Sequence, residues 1–440
     1  MNKLDRRQFL GMATASGVAL TARGADALAR SPNERLVIAI MGVSRSNYGK
    51  TTTLKNRGRG AALAMNFSAL PGAEIAYLCD VDQRHLDATM AEVAPKQARP
   101  PKAVKDFRKI LDDKSVDALV VATPDHWHAP AAILACDAGK HVYVEKPCCH
   151  NPHEGELLVE AARKHKRVVQ HGTQRRSIPS HIEAVDALRK GAIGKVLTAR
   201  CYYLFNDRPT IGRGKPASVP DYLDWSLWQG PAPEREFKDN FHPYHWHWFW
   251  HWGTAELGNN GVHTLDVARW GLGVDYPTQI SATGGRLRYD DDQETPDTMI
   301  ATYKFGDGPM VVWEGRSWGG KTPADVQQQV VFDGDKGTLA ISGSGYQIYD
   351  PSGTEVAKGT SDMSDNLHLQ NFIDAVRGTA KANAEIEEGF KSTLLSHLGN
   401  TSYRTGRTIT FDPKSKRIVG DKEAERQWSR EYRPGWEPKV

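Results

Sequence analysis

The stretch "VEKP" (144–147) places an acid and a base side by side at the end of an apolar run. Ligands of open α/β sheets bind beyond the carboxyl ends of the strands, so Glu145 and Lys146 stand where a cofactor or substrate would lie. A lysine at such a position can donate a hydrogen bond to a reacting hydroxyl, relay its proton and stabilise a developing alkoxide. The alternative interpretation is an exposed turn made rigid by Pro147.

A second candidate for proton chemistry is His263, in the stretch "ELGNNGVHTLDVARW" (256–270). An imidazole with a pKa near its ordinary value can accept a proton at neutral pH, which the oxidation of an alcohol requires. Asn259 lies four residues earlier and could orient a hydroxyl, but it cannot take a proton. Asp266 is spaced to orient His263, and a buried hydrogen bond between helices is an equally good interpretation of this carboxylate.

Four Trp and four His fall within the twelve residues "HPYHWHWFWHWG" (242–253), the aromatic–histidine segment. Flat aromatic faces suit the C–H faces of a sugar ring, and imidazoles can bind its hydroxyls. The segment is therefore predicted to form a substrate wall, with a core or oligomer contact as the alternative. The side chains predicted to bind substrate are Arg176, Tyr244, His245, Trp246, His247, Trp248 and His263.

The same segment can also be interpreted as a metal site. His245, His247 and His251 would lie on one side of an extended chain. No cysteine or clustered carboxylate joins them, and stacked His and Trp side chains in a loop explain the pattern better. No metal site is therefore predicted.

Glycines near the start of the chain indicate a dinucleotide-binding loop. Gly42 ends the first apolar run, "NRGRG" (56–60) opens a helix, and Asp80 closes the second apolar run. Glycines let the backbone approach a pyrophosphate, and the acid accepts hydrogen bonds from ribose hydroxyls and repels a 2′-phosphate. NAD is therefore predicted rather than NADP, bound in part by Gly42, Asn56, Arg57, Gly58 and Asp80.

One feature weakens this interpretation of the glycines, and one rival motif, a nucleotide P-loop, is rejected. An insertion after Gly42 removes the strict G-x-G-x-x-G spacing, so a flexible glycine loop is the alternative. The stretch "SNYGKTTT" (46–53) is close to a nucleotide P-loop, but Ser44 stands where that motif needs its first glycine.

Alternating strand and helix patterns position these residues. In the first part of the chain, five apolar runs alternate with helical stretches, which predicts a parallel sheet with helices on both faces. Longer runs joined by short turns then predict a mostly antiparallel sheet. The predicted fold class is α/β, with a Rossmann-type domain (31–172), an α+β domain with a large open sheet (173–410) and a tail that packs on the surface (411–440).

The first 30 residues are predicted to be an export signal of the twin-arginine type. Arg6 and Arg7 are followed by Phe9 and Leu10, then by a weakly apolar stretch and small residues suited to cleavage. The protein is therefore expected in the periplasm or otherwise exported. A basic disordered tail is the alternative.

The composition bounds the class of protein. The 440 residues favour two domains, and a charged fraction of 25% with a net charge of +4 gives little support for nucleic-acid binding. After residue 30, no apolar run is long enough to span a bilayer. The five cysteines match neither a metal ribbon nor a disulfide framework.

Three stretches together resemble the Gfo/Idh/MocA oxidoreductases: residues 122–147, residues 256–270 and "HLQNFIDAVRG" (368–378). In that family a Thr-Pro turn ends one strand, a His follows, and a Glu-Lys-Pro ends the next strand. The resemblance implies cofactor contacts from Thr123, Pro124, His126, His128, Glu145 and Lys146. It implies catalytic roles for Lys146, His263 and Asn259.

The resemblance also implies details of the site. The peptide bond before Pro147 is often cis in this family. Family members often carry an Asp where this chain has Asn259, and this departure shifts more of the acid–base work onto Lys146 and His263.

The function expected from these residues is an exported NAD-dependent oxidoreductase acting on a secondary alcohol of a sugar, with a tightly held cofactor. A homodimer or homotetramer through the second sheet is expected. One alternative is a glycosidase that oxidises, eliminates and reduces again, although the intact Glu-Lys-Pro favours plain dehydrogenation. The other is a non-catalytic carbohydrate-binding protein, against which Lys146 and His263 argue.

Overall fold

The computed structural model describes residues 35–45, 54, 56–204, 208–318 and 329–440. The predicted export signal (1–30) and the stretch 46–53 lie outside these residues. Two sheets organise the described chain, one of six strands and one of ten. In the part of the chain that is described, no helix is both long and apolar enough to cross a membrane.

The first sheet has six strands: β1 (Leu36–Met41), β2 (Ala73–Cys79), β3 (Lys102–Val104), β4 (Ala118–Val121), β5 (His141–Val144) and β6 (Val169–His171). All pairs are parallel, in the order β3-β2-β1-β4-β5-β6. This is the Rossmann order, so the predicted Rossmann-type sheet is confirmed. Only five strands were expected, because the three residues of β3 contain no apolar run.

Five helices accompany this sheet: α1 (Arg59–Ala69), α2 (Gln83–Val93), α3 (Arg108–Leu111), α4 (Asp125–Asp137) and α5 (Pro152–Lys164). The start of α5 has clear local causes, since the Asn151 side chain accepts a hydrogen bond from the Glu154 N–H and a proline follows the cap. Helix α4 is almost completely buried, because α5 and the sheet cover it.

The second sheet has ten strands: β7 (Val196–Leu204), β8 (Gln279–Gly285), β9 (Thr298–Lys304), β10 (Met310–Arg316), β11 (Val330–Gly334), β12 (Gly337–Ile341), β13 (Gly345–Tyr349), β14 (Glu355–Thr360), β15 (Ile409–Asp412) and β16 (Arg417–Val419). Among the described residues of this sheet, β7 and β10 pair in parallel and the other pairs are antiparallel. Along β9, Met299, Ala301 and Tyr303 are buried and alternate with more exposed residues. One face therefore covers the core and the other is open, which confirms the predicted open, mostly antiparallel sheet.

Six helices belong to the second half: α6 (Pro179–Arg189), α7 (Trp225–Gln229), α8 (Val262–Leu272), α9 (Asp365–Val376), α10 (Ile386–Thr405) and α11 (Lys422–Arg426). A π-helical turn, Leu257–Gly261, leads directly into α8. Helix α10 is largely buried, because it packs against α5, α8 and β8. It therefore joins the first domain to the second sheet.

The late part of the chain returns to the Rossmann domain. Phe372 of α9 packs edge-on against Phe67 of α1, with 6.5 Å between ring centroids. Trp436 packs edge-on against Trp127 of α4, at 5.3 Å. The predicted tail (411–440) thus includes the end of β15, all of β16 and a segment that lies against the first domain.

Candidate active site

A cavity of about 440 Å³ lies beyond the carboxyl ends of β1, β2, β4 and β5. The aromatic–histidine segment and the π-helical turn before α8 form its other wall. Many of the residues predicted to bind ligands or to act in catalysis line it: Gly42, Arg57, Gly58, Asp80, Thr123, Pro124, His128, Glu145, Lys146, Tyr244, Trp246, His247 and Asn259.

Helix α1 begins at the cavity wall without a side-chain cap. Its N-cap residue, Gly58, makes no side-chain hydrogen bond, and the first turn of the helix lines the cavity. A Cβ at Gly58 would lie 2.7 Å from the Ser44 carbonyl oxygen, and one at Gly60 would lie 1.6 Å from that of Gly42. Glycine therefore permits the close approach of helix and strand, and the helix end offers free N–H groups to an anion.

Asp80 stands at the end of β2 in the same part of the cavity, the nucleotide part (Gly42, Gly58 and Asp80). One carboxylate oxygen accepts the Val43 N–H at 2.7 Å, and the other accepts the Asp82 N–H at 2.9 Å. Burial raises the pKa of Asp80. Each carboxylate oxygen has capacity for a further hydrogen bond, so the group can accept the hydroxyls of a ribose.

Lys146 meets Asn259 in the reaction part of the cavity (Lys146, His247 and Asn259). Its Nζ donates to the main-chain carbonyl of Asn259 and, at 3.0 Å, to the Asn259 Oδ1. Burial lowers the pKa of Lys146, and the negative charge of Glu145 partly offsets this. The Lys146–Pro147 peptide bond is cis. An ammonium has three N–H donors, so one remains for a ligand in the cavity.

Asn259 is held by an unusual local backbone. It lies in the π-helical turn, a type of distortion often found at functional sites. Its Nδ2 is buried and has no hydrogen-bond partner among the described residues. An unpaired buried donor costs free energy, so a ligand that accepted this hydrogen bond would be stabilised.

Glu145 lines the cavity, but its carboxylate is paired with a basic side chain. Its Oε1 accepts from Arg59 Nε at 2.7 Å, and the same guanidinium also binds Asp365 at the start of α9. Arg59 therefore ties the end of β5 to α1 and to α9. Glu145 and Arg59 both line the cavity, so this ion pair supports the floor beneath a ligand.

His247 has a fixed ring orientation in the cavity wall. Its Nδ1 lies 2.7 Å from the Tyr244 carbonyl oxygen, and because a carbonyl only accepts, Nδ1 carries the proton. The Nε2 atom is then the acceptor. The ring stacks on Trp246 at 3.6 Å between centroids. Burial lowers the pKa of His247 well below its ordinary value, and the Lys146 charge adds to this, so the ring is neutral at physiological pH.

His263 lies one helical turn after Asn259 but outside the cavity wall. Its Nδ1 is buried and, within the described chain, has no hydrogen-bond partner. Burial lowers the pKa of His263 well below its ordinary value, and the charges of Lys146 and Arg175 lower it further. The proton-acceptor role predicted for this residue stays a prediction.

Asp266 does not orient His263. Its carboxylate accepts from Arg176 Nε at 2.9 Å and from the Ser392 hydroxyl at 2.7 Å. Burial acts to raise the pKa of Asp266, but the Arg176 charge and hydrogen bonds produce a net lowering. The alternative interpretation of Asp266, a buried contact between helices, is therefore the right one. Arg176, predicted to bind substrate, is engaged in this buried ion pair outside the cavity wall.

Family profiles match most of the chain. Residues 36–173 match "Oxidoreductase family, NAD-binding Rossmann fold", and residues 210–438 match "Oxidoreductase family, C-terminal alpha/beta domain". The chain belongs to the Gfo/Idh/MocA oxidoreductase family. The resemblance drawn from the three sequence stretches is thus confirmed, and residues 36–173 are a NAD-binding Rossmann domain.

Two curated relatives are each 26% identical to this chain. One is a levoglucosan dehydrogenase of Pseudarthrobacter phenanthrenivorans, aligned over 230 residues, 52% of this chain and 48% of the relative. The other is a glycosyl hydrolase family 109 protein of Shewanella pealeana, aligned over 211 residues, 46% of each chain. The matched region thus spans about half the length of these relatives.

Solved structures share the fold. A levoglucosan dehydrogenase in complex with NADH and levoglucosan is 17% identical, with a TM-score of 0.65, and the match covers 86% of this chain and 99% of that one. An aldose-aldose oxidoreductase of Caulobacter crescentus is 20% identical, with a TM-score of 0.62, covering 86% of this chain and all (100%) of that one.

The residues of this family member fit NAD. The uncapped start of α1 suits a pyrophosphate, and Asp80 suits ribose hydroxyls. The buried Thr123 hydroxyl has no hydrogen-bond partner among the described residues, so it is available to a ligand. Gly42, Arg57, Gly58, Asp80 and Thr123 would therefore hold the nucleotide, and Lys146 would lie beside its reactive end.

Several predicted site residues lie elsewhere or are otherwise engaged. His126 is outside the cavity wall, and its Nε2 contacts the Trp228 carbonyl oxygen at 2.9 Å. His245 contacts the Asn240 carbonyl oxygen through Nδ1 at 3.0 Å, and Trp248 is buried beneath the Arg208 guanidinium. Asn56 is exposed at the entrance to α1.

His128 lines the cavity but uses both ring nitrogens within the protein. Nδ1 lies 2.5 Å from the Pro147 carbonyl oxygen, and Nε2 lies 2.8 Å from that of Thr123. The side chain thus joins the turn after β4 to the turn after β5. We infer that it supports the cavity floor, because neither nitrogen is left for a cofactor.

Sequence reasoning missed Arg59, Asn260 and Glu256. Arg59 and Asn260 line the cavity, and the Asn260 amide donates to Glu256, which also pairs with Arg208. Arg59 lies within the glycine-rich stretch that was recognised, and the other two lie beside Asn259. The partners of Arg59 and Glu256 come from distant parts of the chain, so their types alone carried no signal.

Proposed function

We propose that this protein is an exported enzyme that transfers hydride between a secondary alcohol of a sugar and a tightly held NAD. The observation that carries the proposal is the position of Lys146. Its Nζ contacts Asn259 in the cavity wall, in a family whose Rossmann domain binds NAD. Sugar as the substrate class is supported by the levoglucosan dehydrogenase among the relatives.

Lys146 is the hydrogen-bond donor to the reacting hydroxyl. Two of its three N–H groups are directed at Asn259, so the third is available to the substrate oxygen. In the direction of reduction, the ammonium would give this third proton to the substrate oxygen; in the direction of oxidation, the neutral amine would take the hydroxyl proton as the hydride passes to NAD. The lowered pKa of Lys146 brings the ammonium closer to the range in which a lysine both gives and takes a proton.

His247 and the aromatic rings position the sugar. The Nε2 of His247, the acceptor nitrogen of this tautomer, would accept a hydrogen bond from a hydroxyl, and Tyr244 and Trp246 offer flat faces to the ring. NAD, when bound, supplies the carbon that accepts or returns the hydride. The Asn259 Nδ2, which has no hydrogen-bond partner among the described residues, donates to a substrate oxygen beside Lys146.

The test begins with the purified protein. Mass spectrometry of the nucleotide released on denaturation should identify NAD, and a panel of sugars should then change the nicotinamide absorbance of the intact protein. A lack of response to every sugar, with NAD bound, would contradict the proposed substrate class. Recovery of NADP alone would contradict the cofactor assignment.

A glycosidase is the second candidate, because a glycosyl hydrolase family 109 protein is among the relatives. A glycosidase of this kind oxidises the sugar, eliminates its substituent and reduces the sugar again, so no oxidised product accumulates. Product analysis with an aryl glycoside distinguishes a glycosidase from a dehydrogenase. Release of the aryl alcohol and an intact reducing sugar indicates hydrolysis, whereas a keto-sugar indicates dehydrogenation.

Export is part of the proposal and rests on Arg6 and Arg7, which lie outside the described residues. Replacing both by lysine should retain the protein in the cytoplasm, because the arginine pair is the part of the signal peptide that is recognised for export. Equal periplasmic yield of the double variant would contradict export by this route. Wild-type protein in the same host is the control.

A homo-oligomer through the second sheet also belongs to the proposal. On the open face, Ile300 is 43% and Met310 39% exposed, and a second copy of the chain would cover them. Sedimentation should show a dimer or tetramer, and Ile300→Glu with Met310→Glu should yield monomer. A wild-type monomer at high concentration would contradict it.

A further inference from the structure

We propose that Asp82, His85 and His242 form a site for a transition-metal cation, with zinc as the best match. The three residues meet at the edge of the nucleotide part of the cavity, where β2 leads into α2 and the aromatic–histidine segment begins. This inference goes beyond the proposed function and does not depend on it.

The geometry brings two imidazoles to one carboxylate oxygen. His85 Nε2 and His242 Nε2 each lie 3.7 Å from Asp82 Oδ2, and all three candidate ligand atoms lie within 4.8 Å of one another. A separation of 3.7 Å is too long for a hydrogen bond. It is close to the ~3.3 Å between neighbouring ligand atoms of a tetrahedral zinc site with bonds of about 2.0 Å.

The imidazoles suit metal binding. His85 and Asp82 are buried, and one nitrogen of each imidazole lies close enough to the carboxylate oxygen to share one ion with it. Imidazole nitrogens are common metal ligands in proteins. Both histidines also line the cavity, so a water molecule can complete a fourth position.

Arg84 fixes the carboxylate. Its Nη2 lies 2.8 Å from Asp82 Oδ2 and its Nε lies 3.2 Å from Oδ1. The site offers one carboxylate, whereas Mg²⁺ and Ca²⁺ prefer several oxygen ligands, so binding of these two ions is not expected. Two nitrogen ligands favour zinc and its neighbours in the first transition row, which bind imidazole strongly.

The three histidines first considered from the sequence do not converge in this way. His245 and His247 direct Nδ1 at main-chain carbonyls, and His251 Nε2 contacts the Pro233 carbonyl oxygen at 2.8 Å. The cluster that does form takes only His242 from that segment. An ion bound there would tie the aromatic–histidine segment to α2 of the Rossmann domain.

The test measures metal content and affinity, with no use of enzyme activity. After removal of metal by a chelator and return to buffer, zinc titration followed by calorimetry and elemental mass spectrometry should give one ion per chain. Mg²⁺ should give none. Cobalt(II) should give the visible absorption of a tetrahedral site.

Variants locate the site. His85→Gln, His242→Gln and Asp82→Asn should each weaken zinc binding by about 10-fold or more. Asn at position 82 retains a good helix cap, so α2 should keep its start. His251→Gln is the matched control in the same segment and should bind zinc as the wild type does.

The proposal is overturned if the folded wild type takes up no stoichiometric zinc. It is also overturned if the two histidine variants, shown to be folded by circular dichroism, bind as the wild type does, or if His251→Gln loses as much affinity. None of these outcomes bears on hydride transfer, which is measured separately.

Discussion

The two parts of the cavity are built in different ways. In the nucleotide part, Gly42, Gly58 and Asp80 belong to one β–α–β unit and are positioned by strand ends and a helix start. In the reaction part, Lys146 meets Asn259, which is 113 residues away in the chain, and His247 comes from a third segment. The first part follows from local backbone rules, whereas the second depends on how the two domains pack.

The difference separates two histidines to which the sequence assigns different roles, proton transfer for His263 and substrate binding for His247. His247 lies in the cavity wall with a fixed acceptor nitrogen, whereas His263 lies behind the wall with a buried Nδ1. The role predicted for His263 stays a prediction, and of the two histidines His247 is the one that lines the cavity. Variants that act on one part and spare the other can therefore test this account of the site.

The largest effect is expected at Lys146. Lys146→Ala should lower the rate of the chemical step by about 10²-fold or more, because it removes the donor to the reacting oxygen. NAD occupancy should stay at the wild-type level. Lys146→Arg is the matched variant, and it should recover little activity because a planar guanidinium cannot reproduce the lysine geometry.

Near-normal turnover in Lys146→Ala would remove this lysine from the mechanism. "VEKP" would then be a rigid turn at a strand end. Single-turnover measurements on protein of known NAD content make this comparison directly.

The next largest loss of activity is expected at His247, and it is compared with the loss at His263. His247→Ala should lower kcat/KM by about 10-fold to 10²-fold, because a fixed acceptor and a stacking surface are both lost. His263→Ala should cause a smaller loss. The measurement is steady-state kinetics of both variants with the same sugar, and an equal or larger loss in His263→Ala would restore the role that the sequence predicts for it.

Asn259→Asp should change the pH profile rather than abolish activity. A carboxylate next to the Lys146 Nζ favours the ammonium and raises the lysine pKa. If activity needs the ammonium, it is lost as pH rises through that pKa, so the basic limb should move to higher pH. Asn260→Asp is the neighbouring control. An unmoved basic limb would show that Lys146 does not titrate in the rate-limiting step.

The smallest effect is expected for a substitution in the nucleotide part, and it concerns cofactor binding. Asp80→Ala should weaken NAD binding by about 10-fold and narrow the preference over NADP, because it removes an acceptor for ribose hydroxyls and a charge that repels a 2′-phosphate. Nucleotide content and affinity measured by calorimetry check this. An unchanged preference would mean that the selectivity lies elsewhere.

The fold and the nucleotide part could be anticipated because they depend on short-range rules. Continuous apolar runs, glycines and an acid at a strand end are visible in the sequence and correspond to β1, the start of α1 and the end of β2. Strand β3 was not predicted, because its three residues give no periodic pattern. The "VEKP" turn was recognised through its position at the end of β5.

The remainder of the site depends on partners that no local pattern reveals. Arg176 looks like a substrate ligand until Asp266 is found beside it, and Glu145 looks like a cofactor ligand until Arg59 is found. His242 looked like one more ring in an aromatic run, yet it meets Asp82 and His85 from another domain. In each case the side chain's role is decided by a contact with a residue that is distant in the chain.

The central claim is direct hydride transfer between a sugar carbon and bound NAD beside Lys146. The most direct measurement uses the best sugar substrate with deuterium at the carbon that is oxidised. Nucleotide recovered from wild-type protein after a single turnover should be reduced and carry one deuterium, and that from Lys146→Ala should stay largely unlabelled. Oxidised sugar formed without deuterium in the nucleotide would contradict the account.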